Sequence, residues 1–288
     1  MRHKTQSGMN TKDLDRILER NSDLVDREFP MEGRTCHMKN APCRPAGYEP
    51  EDEAGVMYAD GMEFLERGDI QTGRWLLEEA YKAGNLEAGN SLALGLSYGW
   101  FGERDEEAAT RLFRKLSHKG ERNAMNNYAF AYLHGRGVKK NLYWAEFWFQ
   151  RAIAKGNLCA AATYGQLNIE NVFPKNSKSL GLWLLFWAAD NGVAQAMNDI
   201  GLCYEEGQGM HVDYDKAFEW FKKAVDYGGG ACAEFNVSRC YRYGLGVEAN
   251  EDKADAWQNL AVEHGFDIDS YNKAFCLDLY SQYEGYDF

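Results

Sequence analysis

Proline is scarce: five in 288 residues, four of them before Glu51, with Pro174 alone thereafter. Little in the remaining length interrupts helix formation. No stretch approaches the ~20 apolar residues that a membrane helix needs. The opening MRHKTQSGMNTKDLDRILER carries positive charge but no apolar run, which argues against a secretory leader. Histidines number only six. No P-loop, Rossmann glycine fingerprint, Gly-x-Ser-x-Gly or His-Glu-x-x-His is found, so the expectation is a non-enzymatic protein without cofactor or metal. Positive charge is in deficit, 32 Lys and Arg against 44 Asp and Glu, a net of −12. That balance argues against nucleic acid and anionic membrane surfaces, and favours a neutral to basic partner. The seven cysteines show no pair recurring from segment to segment. Cys232 and Cys240 stand eight apart on one predicted helix, about 12 Å of rise, too far to join. Reduced thiols, mostly packing residues, and a cytoplasmic location are expected.

What the chain does have is a repeat. Gly84, Gly120, Gly156, Gly192 and Gly228 are each 36 residues apart, and a sixth copy closes one residue late at Gly265. The extra residue is placed at Tyr243, before the Gly244/Gly246 loop. Four residues after each closing glycine stand Ala88, Ala124, Ala160, Ala196 and Cys232. Nine after it stand Ala93, Ala129, Gly165, Gly201 and Val237. Eight before it stand Leu76, Leu112, Trp148, Leu184, Trp220 and Trp257, flanked by small residues eleven and four before. Alternating small and large residues on helical faces predict paired antiparallel helices that approach closely. The loops HGRGV, EGQGM and YGLGV supply glycines where the first helix of each pair must end at positive φ. A period of this length means a solenoid.

Residues 193–228 supply Ala196, Ile200-Gly201, Tyr204, Gly207-Gln208-Gly209, Lys216-Ala217, Trp220 and Ala224 to Gly228. In this pattern the chain resembles the Sel-like repeats, relatives of the tetratricopeptide repeats. The resemblance implies an all-α, right-handed α/α solenoid of about six helix-turn-helix repeats: 52–84, 85–120, 121–156, 157–192, 193–228 and 229–265. An N-terminal helix and irregular strap (1–51) would precede the array, and a capping helix and tail (266–288) would follow. Within the strap, Cys36, His37 and Cys43 could supply three zinc ligands, but Cys-x6-Cys is no standard knuckle and the segment is read as irregular.

Two copies depart from the pattern. The 85–120 loop carries Trp100-Phe101, read as a cap over a neighbouring loop in preference to a partner hot spot. The 157–192 copy has no Gly-x-Gly, and its second helix, SLGLWLLFWAAD, is apolar all round. Trp183, Phe186 and Trp187 cannot share one core stripe, so a cover is expected from the strap, another copy of the chain, or a partner.

In related solenoids the first helices line the concave surface. Off-stripe residues there include Asn90, Asn126, Asn198 and Glu234 at one register position. Phe130 and Gln166 lie further along, and His134, Glu205, Glu206, Tyr241 and Arg242 towards the helix ends. Amides that donate and accept could hold an extended peptide backbone, and the acids a basic segment. The alternative is that the amides bond neighbouring backbone and the acids are a solvated face. The reading is a protein–protein interaction scaffold or adaptor. An inhibitor or immunity-type protein masking a basic partner is the alternative, an enzyme the least favoured. Self-association would give the apolar 180–187 helix its cover.

Overall fold

The computed structural model describes residues 53–268. Cys36, His37, Cys43, the N-terminal strap and nearly all of the expected capping helix lie outside them. The described residues form twelve α-helices and no strand, in six antiparallel pairs. These are α1 (Glu53–Glu66) with α2 (Ile70–Lys82), α3 (Leu86–Tyr98) with α4 (Glu106–His118), and α5 (Arg122–His134) with α6 (Leu142–Ala154). Then follow α7 (Leu158–Ile169) with α8 (Lys178–Asp190), α9 (Ala194–Glu206) with α10 (Tyr214–Asp226), and α11 (Gly230–Tyr243) with α12 (Glu251–Glu263). The chain divides into two compact units. The first runs to Tyr164 and takes in residues 173–175; the second holds 165–172 and everything from Asn176. The division falls inside the 157–192 copy.

Most helices begin on a side-chain oxygen. Asn85, Asp105, Asn141, Asn157, Ser177, Asp213 and Asn250 each accept from the N–H three residues on, closing one of the free donors of the first turn. First helices stop at Gly99, Gly135, Gly207 and Gly244, all left-handed. Second helices run into the closing glycines, whose φ lies between +77° and +106°. The 36-residue period is therefore a recurring need for positive φ.

Within a pair, small residues mark where the backbones touch. A Cβ on Gly181 would lie 2.6 Å from the Gly165 carbonyl oxygen, and one on Gly73 2.8 Å from that of Gly61. The large side chains divide the remaining work. The position seven before the closing glycine fills the pair's own core: Leu77, Phe113, Phe149, Leu185 and Phe221 are at most 3 % exposed. The position eight before it lies at the edge of that core, as Trp148 does against Tyr128, and also reaches back to the preceding second helix. Trp148 meets His118 edge-on at 5.4 Å, Trp220 meets Phe186 at 5.7 Å, and Trp257 lies under Lys222. Neighbouring positions on a helix point 100° apart, so one faces the partner helix and the other the preceding pair.

The last pair corrects the expected register. Ala233, not Cys232, is fully buried, and Cys232 is exposed. Gly230 has φ +61° and forms an extra turn with Gly229. The added residue therefore enters at Gly229–Gly230 and not at Tyr243, and every position of α11 shifts by one.

The α8 helix finds part of its cover within the described chain. Phe186 packs on Trp220, Leu182 lies 3.0 Å from where a Gly209 Cβ would stand, and Trp183 and Trp187 stack on each other at 6.0 Å. Phe101 turns inward against Gly95 and the Leu77–Leu92 cluster, as a cap would, but within its own and the preceding pair. Trp100 stacks on Tyr98 and stays 40 % exposed.

Gly181→Ala should lower stability by roughly 1–3 kcal/mol, because backbone and not a flexible side chain stands in the way. Exposed Ser179→Ala on the same helix should stay within about 0.5 kcal/mol. Urea unfolding followed by circular dichroism reads both.

Candidate partner-binding face

The candidate residues lie on the first helix of each pair. In the first unit, Asn90 on α3 is buried, and its Oδ1 accepts from Asn127 Nδ2 on α5 at 2.9 Å. Asn126 is half-buried, and its buried Oδ1 has no hydrogen-bond partner. Phe130 is buried edge-on against Phe149 and stacks on the exposed ring of His134. Burial, then the cations Arg136 and Lys140, hold the His134 pKa below its usual value.

The second unit repeats the amide contact. Asn198 on α9 is buried, with its Oδ1 accepting from Asn236 Nδ2 on α11 at 2.8 Å. Counted with the extra glycine turn, this is the same register as Asn90 with Asn127. Asn236 Oδ1 accepts from Arg239, and Arg239 makes a two-pronged ion pair with Glu205 at 2.6 and 3.3 Å. Glu234 is buried beneath His264, whose Nδ1 lies 2.8 Å from its carboxylate. Arg242 bonds Glu251, Asp255 and Gln258. Tyr241 is half-buried between Phe218 and Lys253. Gln166 donates to Glu170, and its Oε1 is buried without a partner. Glu206 is exposed and accepts from Gln208.

The structure thus gathers Asn198, Asn236, Arg239 and Glu205 into one bonded chain that joins α9 to α11. Asn157 acts similarly at the head of α7: it caps its own helix and donates to Arg122 O and Asn123 Oδ1 of the preceding pair. Glu205 and Arg242 each have an internal counter-charge, and Glu234 has the His264 ring as its hydrogen-bond partner. Fixed bonds of this kind hold consecutive pairs in register, and buried polar groups need them.

One titrating residue was missed by the sequence reading. Asp199 is 7 % exposed, and Gln195 Nε2 donates to it at 2.7 Å. Burial, aided by the charge of Glu170 and opposed by the bonds from Gln195 and Asn198, lifts its pKa to about 7. A lone acid between Met197 and Ile200 in an otherwise buried stretch is the signal that could have exposed it. Burial also raises the thiols of Cys203 and Cys240 to about 12, in keeping with packing residues. No group of His, Cys, Asp and Glu among the described residues has the arrangement of a metal site, and no described helix is long and apolar enough to cross a membrane.

Antiparallel helix pairs, capped by glycine and bonded pair to pair through side-chain amides, define an α-helical repeat protein of the interaction-scaffold class. The chain belongs to the Sel1 repeat family, whose model matches residues 53–85, 90–121, 122–157, 194–227 and 233–266. Helices α7 and α8 fall between the matches. Sel1 repeat proteins are generally protein-interaction scaffolds. Among solved structures, a Sel1 repeat protein from Oxalobacter formigenes is 24 % identical, covering 73 % of this chain and 83 % of that one at a TM-score of 0.59. Two immunity proteins from Pseudomonas aeruginosa are also similar. Pa5087 is 22 % identical, with 75 % and 84 % covered and a TM-score of 0.56. PA5088 is 18 % identical, with 82 % and 94 % covered and a TM-score of 0.56. At these identities the likeness shows the fold alone. No curated protein is significantly similar in sequence.

Asp199 gives the fold a pH dependence of known sign. The folded chain keeps this proton up to about pH 7, whereas the unfolded chain releases it near the ordinary 3.8. Folding therefore binds a proton across that window, and stability falls as pH rises through it. Asp199→Asn should exceed wild type in stability by on the order of 2–4 kcal/mol at pH 8 and match it near pH 4. Urea midpoints at the two pH values check this; a pH-independent difference would sink it.

Proposed function

We propose that the chain is a non-enzymatic adaptor, acting in the cytoplasm, whose first-helix face takes a neutral to basic segment of a protein partner. The observation that carries this is the state of the acids on the second unit's first-helix face. Glu205 and Glu234 are matched internally, but among the described residues Glu170, Asp199 and Glu206 have no cation bonded to them. Above about pH 7, where Asp199 ionises, it and Glu170 act on one another as like charges. An incoming lysine or arginine would relieve that repulsion and gain charge-assisted bonds. The orphaned Oε1 of Gln166 lies on the same helix end and would accept a donor from the same segment. On the first unit, Asn126 Oδ1 offers a similar acceptor beside the Phe130–His134 stack. Asn90 and Asn198 contribute differently: their Oδ1 atoms already hold the next pair, so they support the face more than they read the ligand.

An immunity-type inhibitor that masks one basic partner is the second reading. What favours it is the likeness in fold to two proteins named as immunity proteins, together with the net charge of −12, which would steer a basic partner.

Affinity capture from native lysate, with wild type beside Glu170→Lys/Glu206→Lys, separates the readings. A stoichiometric partner retained at low salt and lost in the double variant, with its circular dichroism unchanged, supports the first-helix face. One tight partner whose association rate falls steeply with salt favours the inhibitor. A variant that keeps every partner removes these acids from the site.

A further inference from the structure

The net charge of −12 hides a segregation of charge along the chain. From Ala108 to Lys155 there are ten lysines and arginines against two acids, Glu121 and Glu146. From Asn176 to Ile268 there are seven against fifteen. Neither acid of the basic stretch offers a free carboxylate surface. Glu121 is buried as the cap of α5, accepting from the N–H groups of Asn123 and Ala124. Glu146 accepts from the Tyr164 hydroxyl at 2.8 Å.

The cations are concentrated on second helices of the first unit. On α4 and its C-terminus, Arg111, Arg114, Lys115, His118 and Lys119 are all exposed. Arg111 pairs with Glu107. Lys115 and Lys119 instead lie over the ring of Tyr81 on α2, at 5.5 and 5.8 Å. Arg114 has no carboxylate partner among the described residues and acts electrostatically on the Tyr128–Tyr132 hydroxyl pair. His118 meets Trp148 on α6, and there Arg151 lies over Phe147 and Lys155 is exposed. Second helices of three consecutive pairs thus carry one strip of cations, seated over half-buried Tyr81 and over Phe147 and Trp148, whose rings are buried.

We propose that this strip on α4 and α6 is a second interaction surface, which takes an acidic polypeptide segment. Cations alone at helix C-termini would be explained by the helix dipole. Arg111, Arg114 and Lys115 sit in the body of α4 and its last turn together, in excess of what one dipole needs. The cations and the half-buried Tyr81 ring beneath Lys115 and Lys119 suit carboxylates spaced by apolar side chains, with guanidinium and ammonium groups meeting the acids. Nucleic acid fits less well: single-stranded bases need open ring faces to stack on, and Phe147 and Trp148 are buried. A scaffold with surfaces of opposite sign could hold two partners of opposite sign at once.

The test uses the full chain and fluorescein-labelled decaglutamate, read by fluorescence anisotropy at low and raised salt. Wild type should bind at low salt and weaken about tenfold or more when salt is raised. Arg114→Gln/Lys115→Gln/Lys119→Gln should lose about tenfold at low salt, as expected for charge-assisted contacts. Lys222→Gln/Lys223→Gln/Lys253→Gln changes the net charge equally on the second unit, and should stay within about twofold, because these lysines make none of the proposed contacts. Circular dichroism confirms that each variant folds. Four results overturn the proposal: no decaglutamate binding at low salt, equal loss in both triple variants, tighter binding of a single-stranded DNA decamer than of the peptide, or salt-dependent dimerisation in sedimentation that the first triple variant abolishes.

Discussion

A pair of short helices cannot bury its hydrophobic surface alone, so this fold depends on how each pair is fixed to the one before it. Two kinds of contact do this. The side chain eight before the closing glycine packs on the preceding second helix as well as on its own pair: Trp148 meets both His118 and Tyr128, and Trp220 reaches back to Phe186. On the other layer, amides cross between first helices, Asn90 with Asn127 and Asn198 with Asn236. The apolar contact supplies most of the free energy, because it removes large rings from water. The amide contact fixes the sliding position, since a displaced pair would leave a buried carbonyl oxygen without its donor.

Much of this was legible in the chain. The closing glycines are spaced by a backbone requirement that other residues meet poorly, so the period survives where side chains vary. Small residues four and nine after the glycine mark close helix approach for the same steric reason. The direction of the side chain eight before the glycine was not legible. Periodicity separates a packed face from a solvated one, but does not say which neighbour that face meets. The extra residue was misplaced because three glycines, Gly228 to Gly230, stand together and any of them could close the unit. Buried Ala233 and the positive φ of Gly230 locate the insertion.

The polar residues were harder to read. A row of asparagines looks alike whether it offers amides to a ligand or bonds its own neighbours. Only the position of Asn127 and Asn236, one register step away from Asn90 and Asn198, separates the two. The internal ion pair of Glu205 with Arg239 and the hydrogen bond of Glu234 with His264 likewise join residues about thirty positions apart, and one repeat says nothing of them. What distinguishes Asp199 is the lack of such a counter-charge inside a buried stretch.

Net charge is a coarser guide than the placement of the charges. It describes the chain from a distance, where the sum is −12. A docked partner meets only the charges within about a Debye length, about 8 Å at physiological ionic strength. In a linear array each repeat contacts only its neighbours, so charge placed on one pair is not averaged by folding against distant pairs. The basic residues of α4 and α6 therefore keep their sign at the surface, while the acids of the second unit keep theirs. In a protein built this way, the order of charges along the sequence becomes the order of surfaces along the array, and electrostatic preference must be assigned pair by pair.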